Sequence, residues 1–190
     1  FNNTGTVRNC EFYGNYASLN WSDGRGGAIW MNWGTVSDCN FTNNFATHYA
    51  GGIFANWSLN ISNCLFTTNY TYYYHGGGIY MNGPVSNVTI DHVDSQGNRS
   101  RGIVIWNGFK QDITITNNYV ANNNCCGIEL QDGTASGVTF TGNTIINNAD
   151  SGMAFIGLTS GAGPNLISGN TITNNGRFGM EIKLPNGTGL

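Results

Sequence analysis

A glycine followed by a short apolar run recurs along the whole chain at a nearly constant interval. The run reads Gly27-Ala28-Ile29-Trp30, Gly51-Gly52-Ile53-Phe54 and Gly77-Gly78-Ile79-Tyr80 in the first half. It continues as Gly102-Ile103-Val104-Ile105, Gly127-Ile128-Glu129-Leu130, Gly152-Met153-Ala154-Phe155 and Gly179-Met180-Glu181-Ile182. The intervals are 24, 26, 25, 25, 25 and 27 residues. Two further columns keep step: Asn15, Asn44, Asn69, Asn98, Asn123, Asn148, Asn175, and Phe12, Phe41, Phe66, Ser95, Val120, Ile145, Ile172. A fixed period of this length is the mark of a solenoid. Within a period the apolar residues alternate over short segments such as Val138-Thr139-Phe140, separated by Gly and Asn, so each period is a set of strands and turns with no helix.

Such a chain closes one coil per period and stacks coils at the interstrand spacing, so seven coils make a rod of roughly 34 Å. Right-handed parallel crossovers set the hand. The fold class expected is all-β: a single-stranded right-handed parallel β-helix of about seven coils of about 25 residues, one domain over 1–190 without its own end caps. The Leu-x-x-Leu-x-Leu consensus of a leucine-rich repeat is absent. Composition agrees: 30 Asn and 28 Gly against 3 Pro among 190 residues require frequent turns. Aromatic residues at 13 % supply a core and argue against disorder.

Two resemblances follow from these residues. Gly26-Gly27-Ala28-Ile29, with Phe12-Tyr13-Gly14-Asn15, Phe41-Thr42-Asn43-Asn44 and Phe66-Thr67-Thr68-Asn69, resembles the GGAI and FxxN elements of chlamydial polymorphic outer-membrane protein passengers. From about residue 100 the Gly-Asn-Thr-Ile-x-Asn-Asn pattern at 142–148 and 169–175 resembles the repeat of the pectate-lyase-like superfamily. The first resemblance implies a surface adhesin. The second implies a scaffold shared by lyases, hydrolases, epimerases, phage spikes and surface proteins, so it bears on fold more than on function.

Charge narrows the partners. Only 9 % of residues are charged and the net charge is −3, which gives no basic stripe for nucleic acid. No apolar stretch is long enough to span a membrane. The five cysteines are an odd number, so at least one is free or pairs between molecules. Nine Asn-x-Ser/Thr sequons occur, at Asn2, Asn20, Asn40, Asn56, Asn60, Asn69, Asn87, Asn98 and Asn186. Their crowding between Asn20 and Asn98 favours an extracellular or cell-surface glycoprotein, with Asn20, Asn40, Asn56, Asn60 and Asn87 as the candidate acceptors.

Four sets of residues are candidates for function. Trp30, Phe54 and Tyr80 occupy one position in three successive coils. With the flanking Ile and Met residues inward they form an outward ladder, and with the reverse parity the Ile and Met residues point out; either way one apolar column faces outward, as a partner interface, as a carbohydrate surface, or as a strip beneath a loop. At the same position Glu129 and Glu181 make the later coils wetter. The loops before the glycines bring Asp23, Arg25, His48, Tyr70, Tyr72, Tyr73, Tyr74, His75, Arg99 and Arg101 to one edge. This edge is the place for polysaccharide chemistry in an enzyme reading, with His48 and His75 as its catalytic candidates.

Asp91-His92-Val93-Asp94 is the other catalytic candidate, through Asp91. Alternation puts its two carboxylates on opposite faces, however, and ten acids over seven coils are thin for a calcium site or an acid–base pair. Cys10, Cys39 and Cys64 stack in one column that later carries Asn118, Asn143 and Asn170. The column is either small buried filler or a thiol ladder for a metal or a disulfide. Adjacent Cys125 and Cys126 allow a strained vicinal disulfide or one thiol inward and one outward. No CxxC spacing points to zinc.

The function expected is therefore a secreted or cell-surface structural β-helix, non-catalytic: an adhesin, sheath, spike or filament subunit. Its partners are copies of itself or other surface proteins, with no cofactor and with structural Ca2+ an unsupported option. The alternatives are a polysaccharide lyase, hydrolase or epimerase, and a carbohydrate-binding module on the same scaffold.

Overall fold

The structure is a computed structural model that describes residues 4–18, 24–72 and 75–185. The expected acceptor Asn20 and the loop residues Asp23, Tyr73 and Tyr74 lie outside the described residues. All strand pairs are parallel and successive partners are one coil apart, so the chain winds as a right-handed β-solenoid of about seven coils. No helix long and apolar enough to cross a membrane occurs among the described residues.

One wall stacks Ile29–Met31, Ile53–Ala55, Ile79–Asn82, Ile103–Trp106, Ile128–Ser136, Met153–Ser160 and Met180–Lys183. A second wall begins at Thr4–Arg8 and Trp33–Ser37 and merges with the first where the longer strands Ile128–Ser136 and Met153–Ser160 run through the bend between them. The third wall stacks seven short strands from Glu11–Tyr13 to Thr171–Thr173. The first three coils carry an extra small sheet of Tyr16–Ala17, Phe45–Ala46 and Tyr70–Thr71. It exists there because those coils have longer segments between the ladder asparagine and the next apolar strand.

The register corrects one column of the repeat. Ile29, Ile53, Ile79, Ile103, Ile128, Met153 and Met180 are the true equivalents. Gly102, Gly127, Gly152 and Gly179 therefore align with Ala28, Gly52 and Gly78, one residue after Gly27, Gly51 and Gly77. Paired glycines in the early coils hid this offset. The aligned column needs glycine because coils approach closely there. A Cβ at Gly78 would lie 2.7 Å from the Gly102 carbonyl oxygen, and one at Gly127 would lie 2.8 Å from that of Gly152.

Two corners of each coil share one device. A residue in the left-handed backbone region turns the chain, and the next residue points inward. One file of turn residues is Asn9, Asp38, Asn63, His92, Asn117, Gly142 and Gly169; the other is Gly14, Asn43, Thr68, Gly97, Asn122, Asn147 and Asn174. Asn, Asp and Gly dominate because they accept positive φ at least cost. After the second file comes the asparagine ladder. Each Oδ1 accepts from the backbone N–H and Nδ2 of the preceding coil's asparagine, as Asn44 does from Asn15 and Asn148 from Asn123. After the first file the column reads Cys10, Cys39, Cys64, Val93 and then a second ladder of Asn118, Asn143 and Asn170.

The interior is filled by stacks of like side chains. Phe12, Phe41 and Phe66 stack with centroids 4.8 and 4.5 Å apart and nearly parallel planes. Each buried Phe or Ile contributes about 2–3 kcal/mol of transfer free energy. One charged residue breaks the apolar pattern. Lys110 sits in the core column between Val85 and Ala135, and its Nζ donates to the carbonyls of Asn107, Gly108, Gln131 and Asp132 at 3.2, 3.4, 2.9 and 2.6 Å.

Candidate functional site

Ile29, Met31, Ile53, Ala55, Ile79 and Met81 face the core, so Trp30, Phe54 and Tyr80 point outward. They do not form one open strip. Trp30 is 51 % exposed, whereas Phe54 and Tyr80 are each 1 % exposed beneath Tyr49, Trp106 and His75. The cover comes from the long loops before the glycines. Arg25, Tyr49 and His75 are joined in file by parallel bridges, which lays one residue from each loop over the aromatic column. The Arg25 guanidinium lies 5.3–5.8 Å from the rings of Phe54, Tyr49 and Trp30, in cation–π range. Of the three ladder residues only Trp30 is open to a partner.

The later part of the same column is also covered, against the expectation of a wetter face. Val104, Glu129, Ala154 and Glu181 are all buried. Glu129 Oε2 accepts from Arg101 Nε at 2.5 Å. Glu181 pairs with Lys183 at 2.7 Å and accepts from Ser151 Oγ at 3.1 Å. Hydrogen bonds from Lys183 and Ser151 hold the Glu181 carboxyl below the usual range against the opposing effect of burial. Buried acids here are paired, as burial of charge demands.

The two imidazoles of the loop edge do not act together. Tyr49, not His48, shares the file with His75, and His48 Nδ1 lies 3.2 Å from the Thr47 hydroxyl. The His75 ring packs 4.1 Å from Trp106 and stacks on Tyr49 at 5.5 Å. Burial, together with the Arg101 charge, lowers its pKa to about 4, so it is neutral at physiological pH. Arg99 lies over the Tyr70 ring at 5.6 Å.

Asp91 is held by its neighbours. Its Oδ1 accepts from Thr116 Oγ1 at 2.8 Å and Asn117 Nδ2 at 3.1 Å, and its Oδ2 is 2.7 Å from His92 Nδ1. Burial opposes ionisation, and the hydrogen bonds from His92, Thr116 and Asn117 outweigh it, so the pKa falls. Asp94 is instead bonded to Gln96 and raised by burial. The Asp91 carboxylate is thus held ionised by three partners. Among the described residues no group of three carboxylates converges, which is the donor set calcium favours.

All five thiols are free. Cys10, Cys39 and Cys64 each donate to the carbonyl two residues earlier, at 3.1, 3.0 and 3.1 Å. Burial pushes the Cys64 thiol up to about 12. These three act as small polar fillers where later coils use asparagine. Cys125 and Cys126 differ, because they lie near Arg101, Glu129 and Asp150. A hydrogen bond from Cys126, with help from Arg101 and against burial, lowers Cys125 to about 6, and the Cys126 thiol is pushed up.

A second outward aromatic file was not anticipated from the sequence. On the small sheet Tyr16 stacks on Phe45 at 4.7 Å and Tyr70 is tilted against Phe45 at 5.1 Å; Tyr16 is 68 % exposed and the other two are half-buried. On the second wall Trp33 and Trp57 stack at 5.5 Å. The signal for the Tyr16 file was present: an aromatic residue follows each ladder asparagine in the first three coils, at Asn15-Tyr16, Asn44-Phe45 and Asn69-Tyr70. Among the sequons, Asn40, Asn60 and Asn87 are exposed and Asn56 is half-buried, whereas Asn69 and Asn98 are buried in the ladder.

No curated protein and no solved structure matches this sequence. A family model described as "Right handed beta helix region" matches residues 1–163. With the coil register and the continuous asparagine ladder, this match shows that the chain belongs to the right-handed beta helix family.

Proposed function

We propose that this chain is a secreted or cell-surface structural β-helix, non-catalytic, whose first three coils present a protein-contact face. The observation that carries the reading is the outward file Tyr16–Phe45–Tyr70 beside exposed Tyr13. Tyrosine supplies apolar contact area with a polar tip, and it is enriched at protein interfaces. The rod behind it is held by ladders, so little ordering entropy is lost on contact. Exposed Asn40, Asn60 and Asn87 support a secreted location and are the acceptor sites favoured by this reading. The partner is another copy of the chain or a second surface protein, in the manner of an adhesin, sheath or filament subunit.

Sugar binding has less support. Stacking on a sugar needs a free ring face, and rings stacked one per coil hide their faces from each other. Polysaccharide cleavage also has less support, because Asp91, Glu129 and Glu181 are each tied to protein groups. Light scattering on the full chain, alone and as Tyr13→Ser/Tyr16→Ser, tests the self-contact form; a matching binding assay on glycan and protein-coated surfaces tests the others. Association or protein adhesion lost in the double variant supports the reading. Turnover of a uronate or neutral polysaccharide, lost in His48→Ala or Asp91→Ala, would replace it.

A further inference from the structure

We infer that Cys125, Cys126 and Asp150 form a binding site for one thiophilic divalent cation of the Zn2+ class. The site is built by two stacked turns. Asn123-Asn124-Cys125-Cys126-Gly127 of one coil lies against Asn148-Ala149-Asp150-Ser151-Gly152 of the next, and the Asp150 N–H donates to the Cys125 carbonyl at 3.2 Å. The two sulfurs and one Asp150 oxygen lie within 4.8 Å of one another. A tetrahedral site with metal–sulfur bonds of about 2.3 Å spaces its ligand atoms roughly 3.8 Å apart, so a small closure completes it. Two thiolates and a carboxylate are a borderline-soft donor set that suits zinc and not calcium or magnesium.

A second observation points to the same place. Glu129 is 1 % exposed, and its Oε1 is buried with no hydrogen-bond partner, while Oε2 is held by Arg101. A buried carboxylate oxygen without a donor is costly. Its charge is felt at both Cys125 and Cys126. A cation on the two sulfurs answers this: Glu129, outside the three-ligand cluster, accepts through Oε1 from a metal-bound water that fills the fourth position. The turns are fixed before any ion arrives, because Asn123 Nδ2 donates to Asn148 Oδ1 at 2.9 Å immediately upstream of both. Cys125 and Asp150 are part-exposed, which leaves a route for entry.

The test is titration of the full chain, reduced with a phosphine, with Cd2+ and separately with Co2+, read by the sulfur-to-metal charge-transfer band. A band saturating at one equivalent is expected, lost in Cys125→Ser/Cys126→Ser and unchanged in Cys39→Ser/Cys64→Ser. Asp150→Asn and Glu129→Gln should each weaken Cd2+ binding by about tenfold or more. Zn2+ should raise the unfolding temperature of the parent and raise that of Asp150→Asn by less, a readout independent of colour. The site is overturned by absence of a one-equivalent band, by a band that survives loss of both adjacent thiols, or by parent-like affinity in both carboxylate variants. Folding of each variant is checked by its thermal transition without metal.

Discussion

Asn69 and Asn98 meet at a single oxygen: Asn98 Oδ1 accepts both the backbone N–H of Asn69 at 3.0 Å and its side-chain Nδ2 at 3.2 Å. Asn98 Nδ2 in turn donates to Asn123 Oδ1, Ser95 Oγ and the Phe66 carbonyl. The amide is the one side chain that supplies acceptor and donor in opposite directions along the rod, which is why it recurs. Asn98→Ala should leave the buried Asn69 N–H without its acceptor and take one hydrogen bond each from the Asn69 amide, which keeps the Phe41 carbonyl, and from the Phe66 carbonyl, at a cost of about 2–3 kcal/mol. Asn124→Ala, exposed and immediately after the ladder residue Asn123, should change stability by less than about 0.5 kcal/mol. Denaturant unfolding of the two variants compares them directly.

Thr68 is the β-branched outlier among the turn residues. Its φ is +54°, in a file otherwise made of Gly14, Asn43, Gly97, Asn122, Asn147 and Asn174. Its hydroxyl bonds to Asn43 Oδ1, which offsets part of the strain. The left-handed region costs a branched residue about 1 kcal/mol more than Asn. Thr68→Asn is therefore expected to stabilise the chain by roughly 0.5–1 kcal/mol. A lower unfolding midpoint for Thr68→Asn would show that the hydroxyl bond outweighs the strain.

The repeat was legible because stacking forces like residues into like positions, and seven such positions in file are hard to mistake. The coil interval and the Asn15-to-Asn175 ladder follow from that, whereas alternation alone leaves open whether Ile29, Ile53 and Ile79 or Trp30, Phe54 and Tyr80 face inward. Three further things were not legible. Gly27 and Gly102 look equivalent in sequence, but Gly102 aligns with Ala28, and the glycine pairs before Ile53 and Ile79 let either glycine satisfy the pattern. The burial of Phe54 and Tyr80 depends on Tyr49 and His75, which lie in inserted segments of unequal length and obey no period. The covering of Glu129 depends on Arg101, three residues before Val104, and a pair made across coils leaves no mark in local composition.

Lys110 was not legible for a different reason: a lysine in a strand ordinarily faces water. Here it fills a core position and satisfies four carbonyls at a bend. Desolvation lowers its pKa to about 8, against a weaker opposing effect from Asp132. Lys110→Ala should cost about 3 kcal/mol, from the cavity and the carbonyls left unpaired. Lys110→Met keeps most of the volume and should recover roughly half of that. Between pH 8 and about 10.5 the folded lysine loses its proton before the unfolded one does, so the parent gains stability relative to Lys110→Met as pH rises. A difference between the two that stays flat over this range would contradict a buried, charged Lys110.

His75 gives the opposite end of the pH scale. Enclosed by Tyr49, Tyr80 and Trp106, and with Arg101 nearby, it has a folded pKa of about 4, below the unfolded value of about 6.5. In that interval the unfolded chain binds more protons than the folded chain, so stability falls as pH drops from 6.5 towards 4 and levels off below. With allowance for partial exposure, the loss attributable to this ring is about 2 kcal/mol. His75→Phe keeps the aromatic packing on Trp106 and removes the titration. Unfolding free energies of parent and variant should therefore run parallel above pH 7 and diverge below 6.5, with the variant the more stable. Parallel curves down to pH 4 would mean that the ring reaches water and that the loops do not seal the Phe54–Tyr80 column.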